Sequence, residues 1–339
     1  MSKSNDSSSM VMEQMTGTAS RGGINFKFVV RNIVRDYGIY IALAGVVIFF
    51  SILIPSFRTL QNVILILLQV SVTGIMSIGM LFVILSAGID LSVGAILAVA
   101  GMISGVYAQM EPTAMSVILA LGFPLAIGLF CGIFNGFVIS YLSVAPLIVT
   151  LGTMYAYRGF VVWYRVNPIY NLSSWYRVIG QHAIGPIPIP VIILVIIAGL
   201  ASVVLNFTRF GRYVYAIGGN RQAARAAGIN VKLVELGVYV ISGFCCGLAG
   251  LVFTSRLGAA QAISGLGFEL TCIASVVVGG ASLFGGRGTV GQTMVGALII
   301  GVLSNGLVML NVPSPIQQMI IGMIIIAAVW IDSILRKRG

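Results

Sequence analysis

Two carboxylates stand nearly alone in long apolar surroundings. Asp90 lies in Gly88-Ile89-Asp90-Leu91-Ser92, and Glu269 in Gly267-Phe268-Glu269-Leu270-Thr271. A charge at the centre of a bilayer costs at least about 2.5 kcal/mol. Each acid must therefore line a polar path or accept backbone N–H groups where the next helix starts. The adjacent glycines Gly88, Gly94 and Gly267 favour the second role, a capped break at a hinge. Two amides, Asn135 and Asn305, also sit inside apolar runs, each followed by glycine. An amide in lipid needs a partner on another helix or a wet cavity. Asp90, Asn135, Glu269 and Asn305 are thus the candidate polar path or hinge. Gly128-x-x-x-Gly132 ends one turn before Asn135 and permits close helix approach there.

Other chemistry is poorly supplied. Cys131, Cys245, Cys246 and Cys272 fall in or beside apolar runs without metal-like spacing, as buried small hydrophobes do. His182 is alone, and no His, Cys or carboxylate cluster resembles a metal site. No nucleophile–base pair is visible, so no enzyme is expected. The run Gly286-Arg287-Gly288-Thr289-Val290-Gly291-Gln292-Thr293 mimics the spacing of a phosphate-binding loop. It has Gln292 where the phosphate-holding lysine belongs, and it joins two apolar runs, so it reads as a tight turn. No bound cofactor is expected.

The elements that position these residues must be helices in lipid. Of 339 residues, 58% are hydrophobic and 8% charged, with a mean hydropathy of +1.06, whereas soluble domains carry roughly 25% charged residues. The net charge of +11 does not imply nucleic acid, because the basic residues lie between and beside the apolar runs. A span needs roughly 20 apolar residues. Such runs occur at about 38–56, 62–86, 92–110, 114–142, 145–164, 189–207, 233–255, 268–283, 290–311 and 315–335, the eighth short and glycine-rich like a broken helix. The fold class is an all-α integral membrane protein with about ten spans. Residues 1–37 read as a cytoplasmic tail without a cleavable leader, 38–335 as the membrane domain and 336–339 as a cytoplasmic end.

Basic residues set the orientation. Lys27, Arg31 and Arg35 precede the first run, and Arg209, Arg212, Arg221, Arg225 and Lys232 fill the connection after the sixth. Arg336, Lys337 and Arg338 follow the last. Ten spans put all three clusters, and both termini, on the cytoplasmic side of an inner membrane. The connection 165–188, with Trp175, Tyr176, Arg177 and His182, then reads as an outer interfacial loop anchored by aromatics.

The acid-bearing strings resemble each other. So do Asn135-Gly136-Phe137-Val138 and Asn305-Gly306-Leu307-Val308, which Pro146 and Pro315 follow at similar distances. The copies are five spans apart, an odd number, so they run in opposite directions. Inverted repeats of this kind frame a path between two half-structures. The span count places Asp90 at the cytoplasmic end of the second span and Glu269 at the outer end of the seventh, both near membrane faces.

The cytoplasmic connection 208–232 is the remaining informative segment. Asn220 suits an N-cap, Arg221-Gln222-Ala223-Ala224-Arg225-Ala226-Ala227 a short helix, and Gly228 a left-handed stop. A short helix with small residues on one face could dock in a cleft of another protein, or rest its arginines on anionic lipid.

The segment from Arg209-Phe210-Gly211-Arg212 through Gly218-Gly219-Asn220 and Ala223-Ala224 to Gly228-Ile229-Asn230 resembles the cytoplasmic loop of monosaccharide permeases. These are the membrane subunits of ribose-, galactose-, arabinose- and xylose-type ATP-binding-cassette importers. Gly88 to Gly94, Leu151-Gly152-Thr153-Met154 with Arg158-Gly159, and Ser275 to Gly288 resemble the same family. The resemblance implies a second permease subunit in a homodimer or heterodimer, a separate ATPase subunit that binds the ATP, and a periplasmic sugar-binding protein. It also implies alternating access. By this resemblance Asn220, Arg221, Gln222, Ala223, Ala224 and Gly228 belong to the coupling helix that sits on the ATPase. Gln222 departs from the family, whose members usually carry Glu there. A permease for a furanosyl signalling molecule or nucleoside, or an ion-coupled transporter of another class, are the alternatives. A reporter fused at residue 225 is expected to report the cytoplasm, as is one at the C-terminus. A periplasmic signal at residue 225 would break the topology.

Overall fold

A computed structural model describes residues 26–337. The expected N-terminal tail falls outside it up to residue 25, and so do residues 338 and 339. Helix α1 (Phe26–Leu53) begins twelve residues before its apolar run. Ile54 is extended before Pro55, as a pre-proline residue must be, and a 3-10 turn (Pro55–Arg58) leads to α2 (Leu60–Leu85), capped by Thr59. There follow α3 (Val93–Ala108), α4 (Ala114–Ser140) with a Thr113/Ser116 capping box, and α5 (Pro146–Tyr164), with proline in its first turn. A small excursion holds α6 (Ser174–Gln181) and the hairpin β1 (Ala183–Ile184) and β2 (Ile187–Pro188), paired antiparallel. Then come α7 (Ile189–Phe207), α8 (Arg209–Gly219), α9 (Arg221–Ala226), α10 (Val231–Leu257), α11 (Phe268–Val278), α12 (Val290–Met309) and α13 (Ser314–Lys337).

Each of the ten expected apolar runs is a helix, namely α1 to α5, α7 and α10 to α13. Among the described residues six helices are long and apolar enough to cross a membrane: α2, α4, α7, α10, α12 and α13. Helix α11 has only 11 residues, about 16 Å at 1.5 Å per residue, and cannot cross alone. The eighth run is indeed a broken span. Most of the connection 165–188 is exposed, but one of its aromatics is buried. Tyr176 is fully buried, its hydroxyl sharing a hydrogen bond with Ser104 Oγ (2.6 Å) and donating to the Leu251 carbonyl (3.2 Å). It pins α6 on the bundle, where a buried phenol needs such partners.

The two copies of the repeat, α2 to α5 and α10 to α13, exchange their first helices. Helix α10 packs on α3 and α4, helix α2 packs on α11 and α12, and the two exchanged helices pack on each other. Within each copy the second and third helices also pack together. This reciprocal pattern is what an inverted repeat demands. The buried core follows α2 and α10, with residues 70–85 buried throughout.

The α4–α10 crossing brings backbones into contact. A methyl on Gly128 would overlap the Gly243 carbonyl, one on Gly243 the Gly128 carbonyl, and one on Gly132 the Tyr239 carbonyl. The sequence pair Gly128 and Gly132 therefore forms the close approach expected of it. Gly243→Val is expected to destabilise the protein by at least about 1–3 kcal/mol, the usual cost of overpacking. Thermal unfolding in detergent checks this, with Gly122→Ala, which faces open space, as a control expected to be unchanged or slightly more stable.

Candidate functional site

At the end of α2 the chain turns back through Ala87 (φ 61°), and the Gly88 N–H donates to the Val83 carbonyl (2.9 Å). Residues 89–92 then run into the bundle without helix. Asp90, only 1% exposed, organises this stretch. Its Oδ1 accepts from the Ser92 N–H (3.0 Å) and the Ser92 hydroxyl (2.6 Å), and its Oδ2 accepts from the Ser242 hydroxyl on α10 (2.9 Å). Asn135 Nδ2 on α4 donates to Ser92 Oγ (2.8 Å). The Ile89 carbonyl accepts from the Tyr239 hydroxyl and from Thr150 Oγ1, both at 3.4 Å. Asp90 thus acts on the start of α3 through Ser92, which is itself the N-cap residue.

The expected position of Asp90 near a membrane face is corrected. Ser242 lies eleven residues into α10, about 16 Å along its axis. Glu269 is corrected likewise. It sits in the first turn of α11, whose N-cap Gly267 is left-handed (φ 81°). A methyl on Gly94 would overlap the Gly265 carbonyl and lie 2.7 Å from Glu269 Oε2. The starts of α3 and α11 therefore meet inside the bundle, where discontinuous helices of inverted repeats place their positive ends. Arg158 on α5 clamps the descending loop, with Nη1 donating to the Ala262 (2.7 Å) and Ser264 (2.8 Å) carbonyls within electrostatic reach of Glu269.

The two amides do not behave alike. Both leave a buried Oδ1 without a hydrogen-bond partner, but Asn135 joins the Asp90 network through its Nδ2. Thr271, the counterpart of Ser92, donates to the Gly267 carbonyl of its own turn (3.2 Å). A cavity of about 150 Å³ lies where α2, α10, α11, α12 and α13 meet, with Gln69, Thr73, Arg256, Thr271 and Ser304 as its polar lining. No carboxylate lines it. Among the described residues no group of three or more His, Cys, Asp or Glu is placed to hold a metal ion.

The segment 208–232 forms two helices projecting beside α10. Asn220 Oδ1 accepts from the Gln222 and Ala223 N–H groups, both at 3.0 Å, capping α9 as its sequence implies. Gly228 is left-handed (φ 81°). Gln222, Ala223, Arg225, Ala226 and Ala227 are exposed. Ala224 is 4% exposed, so it faces the protein, and the outward surface of α9 excludes it. Arg221 pairs with Glu235 on α10 through two contacts of 2.8 Å. The Gly286 N–H donates to the Leu85 carbonyl (2.9 Å), and Thr289 caps α12, so this glycine-rich run is the turn it was expected to be.

Glu235, Tyr239, Ser242 and Arg256 escape a sequence reading. Each is an isolated polar residue in a helix, without a repeated string to mark it. The only available signal was the spacing of Glu235, Tyr239 and Ser242, which share a helix face at i, i+4 and i+7.

A ten-helix apolar bundle with exchanged repeat halves and two short helices meeting at their N-termini is a membrane transport architecture. Residues 62–329 match the family described as "Branched-chain amino acid transport system / permease component", and the chain belongs to this family of permease components. It is a multi-pass membrane protein. Its relatives include the ribose import permease protein RbsC of Bacillus subtilis (strain 168), 42% identical over 303 residues, 88% of this chain and 93% of that one. The D-allose transport system permease protein AlsC of Escherichia coli (strain K12) is 41% identical over 306 residues, 89% and 92% of the two chains. The xylose transport system permease protein XylH of Haemophilus influenzae (strain ATCC 51907 / DSM 11121 / KW20 / Rd) is 33% identical over 370 residues, 89% and 97%. No solved structure matches the chain. The family description speaks of amino acids and the relatives of sugars, so family membership gives the permease role and not the cargo.

Replacing Ser242 by Ala removes the only donor to Asp90 Oδ2 among the described residues and is expected to cost about 1–3 kcal/mol, as for a buried acceptor left unpaired. Thermal unfolding in lipid nanodiscs measures this. Asn305→Leu, which removes an already unpaired oxygen, is expected to be neutral or stabilising.

Proposed function

We propose that the protein is the translocation subunit of an ATP-binding-cassette importer that carries a monosaccharide, a ribose-like pentose or a hexose, into the cytoplasm. Relatives named for ribose, D-allose and xylose support the cargo class. The cavity of amide, hydroxyl and guanidinium groups without a carboxylate suits a neutral, hydroxyl-rich molecule. The chain works with a second permease copy or a paired permease, an ATPase subunit and a periplasmic sugar-binding protein. Its termini and the 208–232 segment face the cytoplasm.

The observation that carries the reading is the capped, outward-facing helix α9. It is too short to be stable alone, yet it is held with Gln222, Ala223 and Ala226 free to meet a partner. We assign the Asn220–Gly228 segment as the site where the ATPase docks. ATP binding in the partner moves it, and the permease turns outward to receive sugar; hydrolysis returns it inward. Glycine-lined helix contacts allow such sliding between two arrangements. An ion-coupled mechanism has less support, because both Asp90 oxygens are already occupied by protein donors.

Gln222→Trp is expected to lower uptake by an order of magnitude while the protein remains in the membrane, and to uncouple the ATPase. Proteoliposome uptake measured beside ATP hydrolysis checks it. Ala224 is the wrong site for this test, since enlarging it disturbs the seating of α9 on its own protein.

A further inference from the structure

The α9 segment could ride on the bundle as a loose appendage, or it could be geared to the buried turn. We propose that the Arg221–Glu235 ion pair is the joint by which α9 drives the Asp90 turn, with both residues in positioning roles. The proposal rests on the docking of an ATPase at α9 and adds the route taken from there.

The geometry is that of a fork. Arg221 Nη1 meets Glu235 Oε1 and Nη2 meets Oε2, each at 2.8 Å. Two parallel bonds fix orientation as well as distance, which a single point contact cannot. The Glu235 side chain is 6% exposed and that of Arg221 54%, so one half of the pair is anchored in the bundle while the other belongs to the projecting helix. Arg225 lies within electrostatic reach of the same carboxylate.

From Glu235 the connection is rigid. Tyr239 and Ser242 follow on one face of α10, within about 10 Å of helix. Tyr239 donates to the Ile89 carbonyl, and Ser242 donates to Asp90 Oδ2. A displacement of α9 thus reaches the non-helical 89–92 stretch through one ion pair, two turns of helix and two hydrogen bonds. Ala87 and Gly88 form the turn before that stretch, and the Ser92 cap follows it, so a pull on α10 is delivered where α3 starts and where α3 meets α11.

The test uses the complete importer, permease with ATPase and binding protein, in proteoliposomes supplied with D-ribose. It reads sugar delivered per ATP hydrolysed. Glu235→Gln and Arg221→Met are each expected to lower this ratio on the order of tenfold, in the usual range of coupling energies. The charge exchange Arg221→Glu with Glu235→Arg should recover most of it, less than fully because Arg225 then faces a like charge. Arg221→Lys keeps the charge and loses the fork, and should fall between. Unchanged ratios in the single variants, or an exchange as poorly coupled as they are, would overturn the proposal. If the single variants fail to fold, Arg221→Lys decides, and a wild-type ratio there counts against the joint. A cysteine at Gln222 that forms no cross-link to the ATPase would instead remove the docking itself, a failure that the ratio measurements do not imitate.

Discussion

Hydrocarbon offers no water to satisfy a peptide group, and this constraint governs every break in the bundle. Residues 86–92 leave the helix with all but Ala87 buried or half-buried, so their polar atoms must be met largely by protein. The carboxylate of Asp90 answers that need from within the loop, and Ser242, Tyr239, Thr150 and Asn135 answer it from three other helices. A carboxyl group whose ionisation is costly in lipid is retained here as a multiple acceptor at a place where several donors converge. On the other side Arg158 plays the complementary part, donating to two carbonyls of the loop before α11. One break is solved by an acceptor and the other by a donor, although the strings around Asp90 and Glu269 look alike.

The exchange of α2 and α10 explains why the breaks lie against each other. Each exchanged helix is surrounded by the short and long helices of the other copy, which draws the starts of α3 and α11 to a common depth. Glycine then lets the backbones close. At Gly94 and Gly265, and again between α4 and α10, a single methyl would overlap a carbonyl. Contacts of this kind contain no interlocking side chains and allow one rigid helix to shift along another, as a transporter requires.

Much of this was legible in the sequence because lipid enforces simple patterns. The apolar runs marked ten helices, and Asn220 and Gly228 marked the ends of α9 through local backbone chemistry. The repeated strings marked the two copies. Depth was not legible. A span count assigns each loop to a face, so it placed Asp90 and Glu269 on opposite sides, and nothing local reveals that a loop re-enters the bundle. Burial within a short helix was equally hidden, since Ala224 and Ala223 are the same residue type with opposite exposure. Glu235 and Ser242 carried no distinguishing string, and only contact with α9 and the Asp90 turn gives them meaning.

The exchanged helices also bear on how the chain is made. Helix α2 emerges from the ribosome early, yet much of the surface that buries it belongs to α10, α11 and α12, in the later half of the chain. The first copy therefore cannot complete its own interior, and α2 must wait in the bilayer or against provisional neighbours until synthesis is almost finished. Assembly is committed late, and a chain cut short before Phe268 would hold several inserted helices without the seat that one of them needs.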